Sequence, residues 1–266
     1  MKGATVTGNP YLIETGDGPV AAAAVHNGHE LRPEVAAICK LTESARLREE
    51  DPYTGDWTAL APTRMVIFRS RFEVDFNRPR DKAIYRGPDE AWGLDLWQTP
   101  PDEQIIKGSF EIYDAFYRDL YRVLDGLAQR YGRFVLYDIH SYCHRRLGPD
   151  APPEPDEANP EINLGTRKID RQYWSPVVDA FLTTLRKHNF GGRNLDIREN
   201  VKFGGGHLSA WVQEMFPGRG VALAVEVKKF FMDEWTGTPD VAMQSEVSRA
   251  LAATVPAVTE ALTGLG

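Results

Sequence analysis

Two histidines of the chain each come at the end of an apolar run. His26 follows the run Val20–Val25, and His140 ends the segment FVLYDIH, while His29 stands three residues after the first histidine. Neutral imidazole is the commonest protein ligand of Zn²⁺, and a catalytic zinc site needs about three protein ligands besides an open position for water. A histidine at a strand end can equally cap backbone groups, so a metal site is indicated by the pair rather than by either residue alone.

Acidic residues are clustered in the segment LREEDPYTGDW. Glu49, Glu50 and Asp51 are consecutive, and Asp56 follows shortly after them. Like charges this close together repel one another, and they belong on a solvated surface unless a cation or arginines neutralise them. The segment is therefore either a charged loop or part of a cation site.

A single glutamate interrupts the apolar segment VALAVEVKKFF. An unpaired carboxylate at Glu226 would be costly inside a buried strand, so this residue should have a partner or a task. A strand end in a cleft can raise the pKa of a carboxyl group, which suits a general base that takes a proton from water. The alternative is a strand glutamate whose side chain reaches solvent.

Arginines flank a short alternating run in the segment SRFEVDFNRPR. Four of them lie close together in sequence, with an aspartate and an asparagine between them: Arg69, Arg71, Arg78, Arg80, Asp75 and Asn77. The planar guanidinium fork holds a carboxylate at two points, so such a cluster beside a catalytic centre suits an acidic substrate. An edge strand with charged ends is the alternative interpretation.

Short apolar runs alternate with segments of helical period along the chain. The runs are continuous, as expected of strands covered on both faces, and they comprise Val20–Val25, Met65–Phe68, Phe134–Ile139 and Val221–Val227. Three- and four-residue spacing of apolar residues predicts amphipathic helices within 112–127, 177–185 and 247–262, and Pro256 should kink or divide the last one. This alternation predicts a layered α/β fold with a mostly parallel or mixed central sheet and helices on both faces. Ligands bind at the carboxyl ends of such strands, where the two histidines would converge.

One stretch, residues 147–165, differs from the rest in composition. It holds five prolines and five acidic residues with little apolar content. Such composition is typical of a domain boundary, but the polar residues just before it favour an excursion from one domain that covers a site. We therefore expect a single domain over residues 1–266 with this excursion inside it.

The composition excludes several classes of protein. With 31 Lys+Arg against 38 Asp+Glu the formal charge is −7, and no long basic run offers a footprint for nucleic acid or an anionic membrane. The cysteines, Cys39 and Cys143, are too few for a disulfide framework or a four-cysteine zinc site, which is typical of reduced thiols in the cytosol. The longest purely apolar stretch, Val20–Val25, is far shorter than a membrane span. We expect a cytoplasmic protein, and the sequence leaves its oligomeric state open, a homo-oligomer included.

Taken in order, these segments resemble the N-formylglutamate amidohydrolase family. The strand ending in His26, the acidic REED segment, SRFEVDFNRPR, YDIHSYCHRR, NLGT, GGGH and AVEVKKFFMDE span about positions 20–240, and NRPR and DIHSY are the most specific of them. The family is similar in fold to zinc carboxypeptidases and aspartoacylases, so the resemblance implies a three-layer, zinc-exopeptidase-like domain. Its members hydrolyse the amide of an N-acylated acidic amino acid, and the type activity releases formate and glutamate.

The resemblance also implies roles for individual residues. His26 and His140 match zinc ligands, and Asp51 matches an acidic residue that we expect to be the third ligand. His29 is the rival of Asp51, because related zinc carboxypeptidases carry their second ligand three residues after the first. Glu226 matches the general-base glutamate of the carboxypeptidase relatives. The residues matched to substrate binding are Arg71, which is also a partner for the oxyanion, Asn77 and Arg78, with Arg80 as a helper.

The function that the resemblance implies is hydrolysis, with one Zn²⁺ per chain and a small anionic N-acyl amino acid as substrate, N-formyl-L-glutamate first. At the first histidine the family commonly reads Pro-His-Ser-Gly, whereas this chain reads Val25, His26, Asn27 and Gly28. Two alternatives stay open. One is a zinc-dependent deacylase or carboxypeptidase with a different N-acyl amino acid or peptide substrate, and the other is a non-catalytic homologue that binds metal and ligand.

Overall fold

The computed structural model describes residues 8–265, and residues 1–7 and 266 lie outside it. Seven strands within this part of the chain form one sheet: β1 (Tyr11–Glu14), β2 (Val20–Ala24), β3 (Thr63–Ile67), β4 (Phe134–Tyr142), β5 (Ile162–Gly165), β6 (Ile197–Glu199) and β7 (Gly220–Lys228). Their order is β1-β3-β2-β4-β7-β5-β6. The central strands β3, β2, β4 and β7 are parallel, whereas β1 is antiparallel to β3 and β5 is antiparallel to β7. The sheet is therefore mixed, with a parallel centre.

The central strands have continuous apolar sequences because helices cover both of their faces. Every residue of β2 and β4 is buried. Along β4, Val135, Tyr137 and Ile139 pack into one apolar core, while Phe134 and Leu136 pack into the other. Alternate residues of a strand point to opposite faces, which explains this division. The four strands predicted from the apolar runs are confirmed.

Helices form a layer on each face of the sheet. They comprise α1 (Pro33–Ile38), α2 (Glu43–Glu49), α3 (Thr54–Trp57), α4 (Glu103–Tyr131), α5 (Ser175–Lys187), α6 (His207–Met215) and α7 (Val241–Thr263). Apolar residues of α4 and α6 pack on one face, and those of α5 and α7 pack on the other. The three-layer α/β fold with a mixed sheet is confirmed. Within residues 8–265, none of the helices combines the length and the hydrophobicity that crossing a bilayer requires.

Of the two effects expected of Pro256, a kink or a division of the C-terminal helix, the division does not occur. Helix α7 runs without interruption from Val241 to Thr263 and contains this proline. Proline removes one backbone hydrogen bond from a helix interior. The apolar stripe of α7 packs into the core on both sides of the proline, through Leu251 before it and Val258 after it. Tertiary packing thus holds together a helix that local sequence disfavours.

The segment 147–165 is only partly an excursion. Its last residues form β5, which pairs with β7. Most of the rest is exposed, although Asn159 and Pro160 are buried, and one of its acidic side chains, Glu154, forms an ion pair with Lys202 at 3.0 Å. No residue of the segment lines the cavity described below. The expected cover over the site is therefore not formed by this stretch, which instead braces a neighbouring loop.

Candidate metal centre

Three side chains meet where the central strands end. His26 lies in the turn two residues after the end of β2, and His140 lies near the end of the adjacent strand β4. Asp51 is held beside them because its backbone N–H donates to the His26 carbonyl at 2.9 Å. One ligand atom from each of the three residues lies within 4.8 Å of the other two, and all three side chains are buried. The structure thus brings together the two histidines and the acidic residue that the sequence favoured.

Both histidines turn the same ring nitrogen toward Asp51. The Nδ1 atom of His140 lies 3.0 Å from Asp51 Oδ2, and that of His26 lies 3.4 Å from the same oxygen. The other nitrogen of each ring donates to a second, buried carboxylate: His26 Nε2 to Asp75 Oδ1 at 2.6 Å, and His140 Nε2 to Asp138 Oδ1 at 2.8 Å. This is the arrangement in which a carboxylate behind a metal-ligating histidine fixes the ring and its tautomer.

The roles of Asp75 and Asp138 were not foreseen from the sequence. A signal for Asp138 exists, because residues two apart on a strand share a face, and Asp138 stands two residues before His140. Asp75 lies in the loop after β3 and reaches His26 only through the fold. The local sequence therefore indicates the contact between Asp138 and His140, but not the contact between Asp75 and His26.

His29 lies outside this group of three ligand residues. Its Nδ1 atom contacts the carboxylate of Glu50, and its Nε2 atom lies 3.3 Å from the guanidinium of Arg46. Glu50 is fully buried and also accepts a hydrogen bond from Ser70. Within the described residues, His29 thus belongs to a separate ion-pair network, and Asp51 is the acidic residue that lies beside the two histidines.

The charges of the group stabilise one another. Burial alone would raise the pKa of Asp51, but hydrogen bonds from His140 and His26 hold this pKa well below its usual range. Burial alone would lower the pKa of His140, yet the nearby carboxylates of Asp138, Glu226 and Asp51 hold it well above its usual range. A metal ion at this site would compete with protons for the nitrogen atoms of its histidine ligands.

The donor set fits a divalent metal ion. It offers two imidazole nitrogens and one carboxylate oxygen in a buried position, and three such ligands are typical of catalytic Zn²⁺ sites. Each imidazole is fixed by its second carboxylate. Three converging ligands with their supporting partners are more than a chance cluster of exposed acids provides.

Glu226 faces the same cavity from the next strand. In the parallel pairing of β4 and β7 it stands directly beside His140. No side chain within residues 8–265 donates a hydrogen bond to its carboxylate, so it is available to water or a ligand. Burial raises the pKa of Glu226 to about 7, with the neighbouring carboxylates of Asp51 and Asp138 adding to the effect and His140 opposing it. A carboxyl group with this pKa can both take and return a proton near neutral pH.

Arg71 and Asn77 line the cavity together with the metal-site residues. The guanidinium of Arg71 donates to Asp75 Oδ2 at 2.9 Å and to the hydroxyl of Tyr85 at 3.1 Å. The side chain of Asn77 caps helix α6, since its Oδ1 accepts from the Leu208 N–H at 2.9 Å. Arg71 is fixed by contacts outside the cavity, whereas the side-chain nitrogen of Asn77 also lies 3.2 Å from His140 Nε2.

Arg78 and Arg80 do not line the cavity. Arg78 donates to the Glu90 carbonyl at 2.7 Å, and its guanidinium lies 4.4 Å from the ring centre of Tyr85. Arg80 forms an exposed bidentate pair with Asp114 at 2.7 and 2.9 Å. Arg78 also lies 3.7 Å from Asp75 Oδ2, on the carboxylate behind His26, whereas within residues 8–265 Arg80 has no contact with the candidate metal site, and the roles of both in substrate binding stay predictions.

The cavity has a volume of about 560 Å³, within the range of small-molecule sites. Glycines 204–206 form part of its wall. A Cβ atom on Gly165 would lie 2.3 Å from the backbone nitrogen of Gly205, so β5 and this loop approach too closely for a side chain there. Several lining residues were not singled out from the sequence, because nothing in their local pattern points inward: Arg48, Trp92, Arg146, Lys202, Phe203 and Lys229.

Comparison with known proteins finds the same architecture elsewhere. Residues 18–231 match the family described as N-formylglutamate amidohydrolase. The crystal structure of N-formylglutamate amidohydrolase from Ralstonia eutropha JMP134 has a TM-score of 0.74 at 17% sequence identity, over 96% of this chain and 98% of that chain. A gene product from Agrobacterium tumefaciens has a TM-score of 0.64 at 16% identity, over 94% and 96%. None of the curated proteins matches. At these identities the two structures establish the fold.

Proposed function

The chain belongs to the N-formylglutamate amidohydrolase family, and we propose that it is a zinc-dependent hydrolase that cleaves N-formyl-L-glutamate into formate and L-glutamate. The observation that carries this proposal is the buried group of His26, Asp51 and His140 with Glu226 at the same cavity. Ligands, base and cavity are the parts that metal-assisted hydrolysis requires.

The metal would be held by the Nδ1 atoms of His26 and His140 and by the carboxylate of Asp51. A zinc ion supplies a Lewis acid that lowers the pKa of a water molecule to about 7 and polarises the carbonyl group of the amide. Asp75 and Asp138 keep the two imidazole rings in the tautomer that leaves Nδ1 free for ligation.

Glu226 moves the proton. Its carboxylate takes a proton from the attacking water and then delivers it to the amine nitrogen as the carbon–nitrogen bond breaks. The water oxygen thus ends in formate, bonded to the formyl carbon of the substrate, and the transferred proton ends on the amine nitrogen of free glutamate. A pKa of about 7 suits both halves of this transfer, since the group gives up and regains a proton near neutral pH with little cost.

Arg71 stabilises the negative charge that develops on the carbonyl oxygen of the substrate. Its guanidinium is anchored by Asp75 and Tyr85, so it needs little reorganisation when charge develops. Asn77 lies at the same wall and offers amide hydrogens to the α-carboxylate of the substrate. Arg78 and Arg80 join this group only with side-chain positions other than those described above.

A metal analysis combined with a hydrolysis panel tests the proposal. Native protein should hold stoichiometric zinc, release formate from N-formyl-L-glutamate, and lose this activity on chelation. His140→Ala should lose both, whereas His188→Ala should keep both, because His188 pairs with Glu246 away from the cavity. Activity that survives complete chelation would refute the zinc mechanism.

Glu226→Gln separates catalysis from metal binding. The variant should retain zinc while kcat falls by about two to four orders of magnitude, as expected for loss of a general base. Zinc content and single-turnover rates measure the two effects. Unchanged turnover would remove Glu226 from the mechanism.

The alternative functions differ from this one in their products. A panel that adds N-acetyl-L-glutamate and a short peptide distinguishes a deacylase or a carboxypeptidase by the acetate or amino acid released. A non-catalytic homologue would bind zinc and an acidic amino acid and release nothing from any substrate. The unoccupied hydrogen-bonding capacity of Glu226 at the cavity favours a catalytic protein over this last alternative.

A further inference from the structure

One side of the cavity carries more positive than negative charge. We name this the outer cationic group and define it as Arg48, Arg146 and Lys229, all of which line the cavity. They come from three separate elements: helix α2, the loop after β4, and the residue that follows β7. The chain as a whole has a formal charge of −7. A local excess of basic residues in an acidic protein sets the field inside the cleft independently of the net charge.

Arg146 is held loosely. Its guanidinium contacts both carboxylate oxygens of Glu49 at 3.2 to 3.3 Å. Tight charge-assisted hydrogen bonds of this kind are shorter, about 2.7–2.9 Å. The Arg146 side chain is 35% exposed, so it can exchange a long contact with Glu49 for a shorter one with a bound anion.

Arg48 is held in place from the side opposite to Glu49. Its guanidinium lies 3.9 Å from the ring centre of Trp235 and donates to the Arg145 carbonyl at 3.3 Å. Its contact with Glu49 is long, at 3.5 Å. Its Nε atom is buried and has no hydrogen-bond partner within residues 8–265. Arg48 therefore keeps hydrogen-bonding capacity that its neighbours do not satisfy.

Lys229 adds a charge that no carboxylate neutralises directly. Its ammonium donates to the backbone carbonyls of Arg48 and Glu50 at the end of helix α2 and lies 3.6 Å from the sulfur of Cys143. Among the described residues, no carboxylate lies within ion-pair distance of it. The outer cationic group thus has three basic residues, of which Arg48 and Arg146 contact the carboxylate of Glu49 and Lys229 does not.

Glu49 also connects this group to the catalytic residues. Its carbonyl oxygen accepts from Arg71 at 3.4 Å, while its side chain contacts Arg48 and Arg146. Asp51 follows two residues later. The segment from Glu49 to Asp51 therefore contains the proposed metal ligand and also contacts both Arg71 and the outer cationic group.

Building on the proposed function, we propose that the outer cationic group, with Arg146 as its principal residue, binds the side-chain carboxylate of the substrate and so determines specificity for an acidic amino acid. Such a substrate carries its second carboxylate a short methylene chain away from the scissile amide. Arg146 would exchange its long contacts with Glu49 for a paired contact with that carboxylate, and Arg48 would supply its unsatisfied N–H.

The test compares N-formyl-L-glutamate with N-formyl-L-glutamine, which differ only in this carboxylate. The native enzyme should prefer the glutamate substrate at least tenfold in kcat/KM. Arg146→Gln should lower kcat/KM for that substrate at least tenfold, mainly through KM, and should change the glutamine substrate less than about threefold. Arg146→Lys should restore part of the preference, since it restores the charge without the planar fork.

Arg130→Gln is the matched control, because Arg130 forms an exposed ion pair with Asp17 outside the cavity. It should leave both kcat/KM values unchanged. Equal use of the two substrates by native enzyme, or an equal loss for both in Arg146→Gln, would overturn the proposal.

Binding of the free amino acids gives a second measurement, which needs neither turnover nor a folded variant. Calorimetry on native protein should show L-glutamate binding at least tenfold more tightly than L-glutamine, and equal binding would overturn the proposal. If neither N-formyl substrate is hydrolysed, the proposed function fails, and this binding difference still decides whether the outer cationic group recognises a side-chain carboxylate.

Discussion

At the scale of single residues, the two buried carboxylates behind the histidines, Asp75 and Asp138, differ in what else they contact. Asp138 supports one ligand: it accepts from His140 and has a long contact of 3.4 Å with Ser209. Asp75 supports more than the site itself, because its two oxygens accept from His26 on one side and from Arg71 and Tyr85 on the other. Asp75 thus couples a metal ligand to the residue proposed to stabilise the oxyanion.

This difference leads to a prediction for Asp75→Asn and Asp138→Asn. Both variants should bind zinc about 10–100-fold more weakly, because the histidine behind each carboxylate is no longer fixed. At saturating zinc, Asp138→Asn should recover most of its kcat, whereas Asp75→Asn should not, since Arg71 also loses its anchor. Chelator competition and zinc titrations of kcat measure the two effects. Equal recovery by both variants would contradict a coupling role for Asp75.

Glu226 should make the stability of the metal-free protein depend on pH. Burial raises its pKa to about 7 from an ordinary value of 4.5, so the folded state holds a proton that the unfolded state releases. The folded state is then favoured below about pH 4.5 and loses that advantage as the pH rises to about 7. Relative to Glu226→Gln, the native chain should lose about 2–3 kcal/mol of unfolding free energy over this interval.

Urea denaturation of chelated native and Glu226→Gln proteins at pH 5 and pH 8 measures the difference. Comparing the two proteins cancels the opposite effect of Asp51 and Asp75, whose lowered pKa values remove stability at acidic pH. Identical pH profiles for the two proteins would mean that Glu226 keeps an ordinary pKa.

At the scale of elements, the site depends on two chain segments that run very close together after β2 and β3. A Cβ atom on Gly28 would lie 2.3 Å from the carbonyl carbon of Phe68 and 2.4 Å from the Arg69 oxygen. The Glu30 N–H donates to the Phe68 carbonyl at 3.0 Å, which continues the pairing beyond the strands. This close approach aligns the segment after His26 with the loop that carries Arg71.

Gly28→Ala should therefore lower stability by about 1–3 kcal/mol, because backbone atoms have to move to admit the methyl group. Gly126→Ala is the matched substitution, at a position of helix α4 where a Cβ atom would meet nothing within 4 Å. It should raise stability by up to about 1 kcal/mol through helix propensity alone. Denaturant midpoints of both variants test the pair, and a neutral Gly28→Ala would show that the two segments tolerate separation.

At the scale of the whole molecule, metal binding should stabilise the fold. The ligand residues lie at the ends of two central strands and in the segment after α2, so a bound ion links distant parts of the chain. A ligand at 100 times its dissociation constant adds about 2.7 kcal/mol of stability. For a chain of this size that corresponds to a rise in Tm of about 5–10 °C.

Thermal unfolding of chelated and zinc-loaded protein measures this effect. His140→Ala should show little or no rise, because one of the three ligands is missing, and His188→Ala should behave as the native chain does. An equal rise in all three proteins would place the zinc elsewhere.

Much of the fold could be predicted from sequence because its central elements carry strong local patterns. Buried parallel strands need continuous apolar runs, and helices that cover them need an apolar stripe, so β2, β3, β4, β7, α4, α5 and α7 were all foreseen. The short outer strands β1, β5 and β6 have three or four residues each, too few to show a period. The continuity of α7 through Pro256 depends on packing that the local sequence does not contain.

By itself the sequence determined which chemistry was available: it placed His26 and His140 at strand ends and Glu226 within an apolar strand. Only the tertiary structure decided which polar groups meet. In the folded chain Asp51 lies beside the two histidines, whereas His29 contacts Glu50. Arg71 and Arg146 line the cavity, whereas Arg80 pairs with Asp114. The physical reason is that a side chain's charge and donors follow from its type, whereas its partner is set by contacts between segments far apart in the chain.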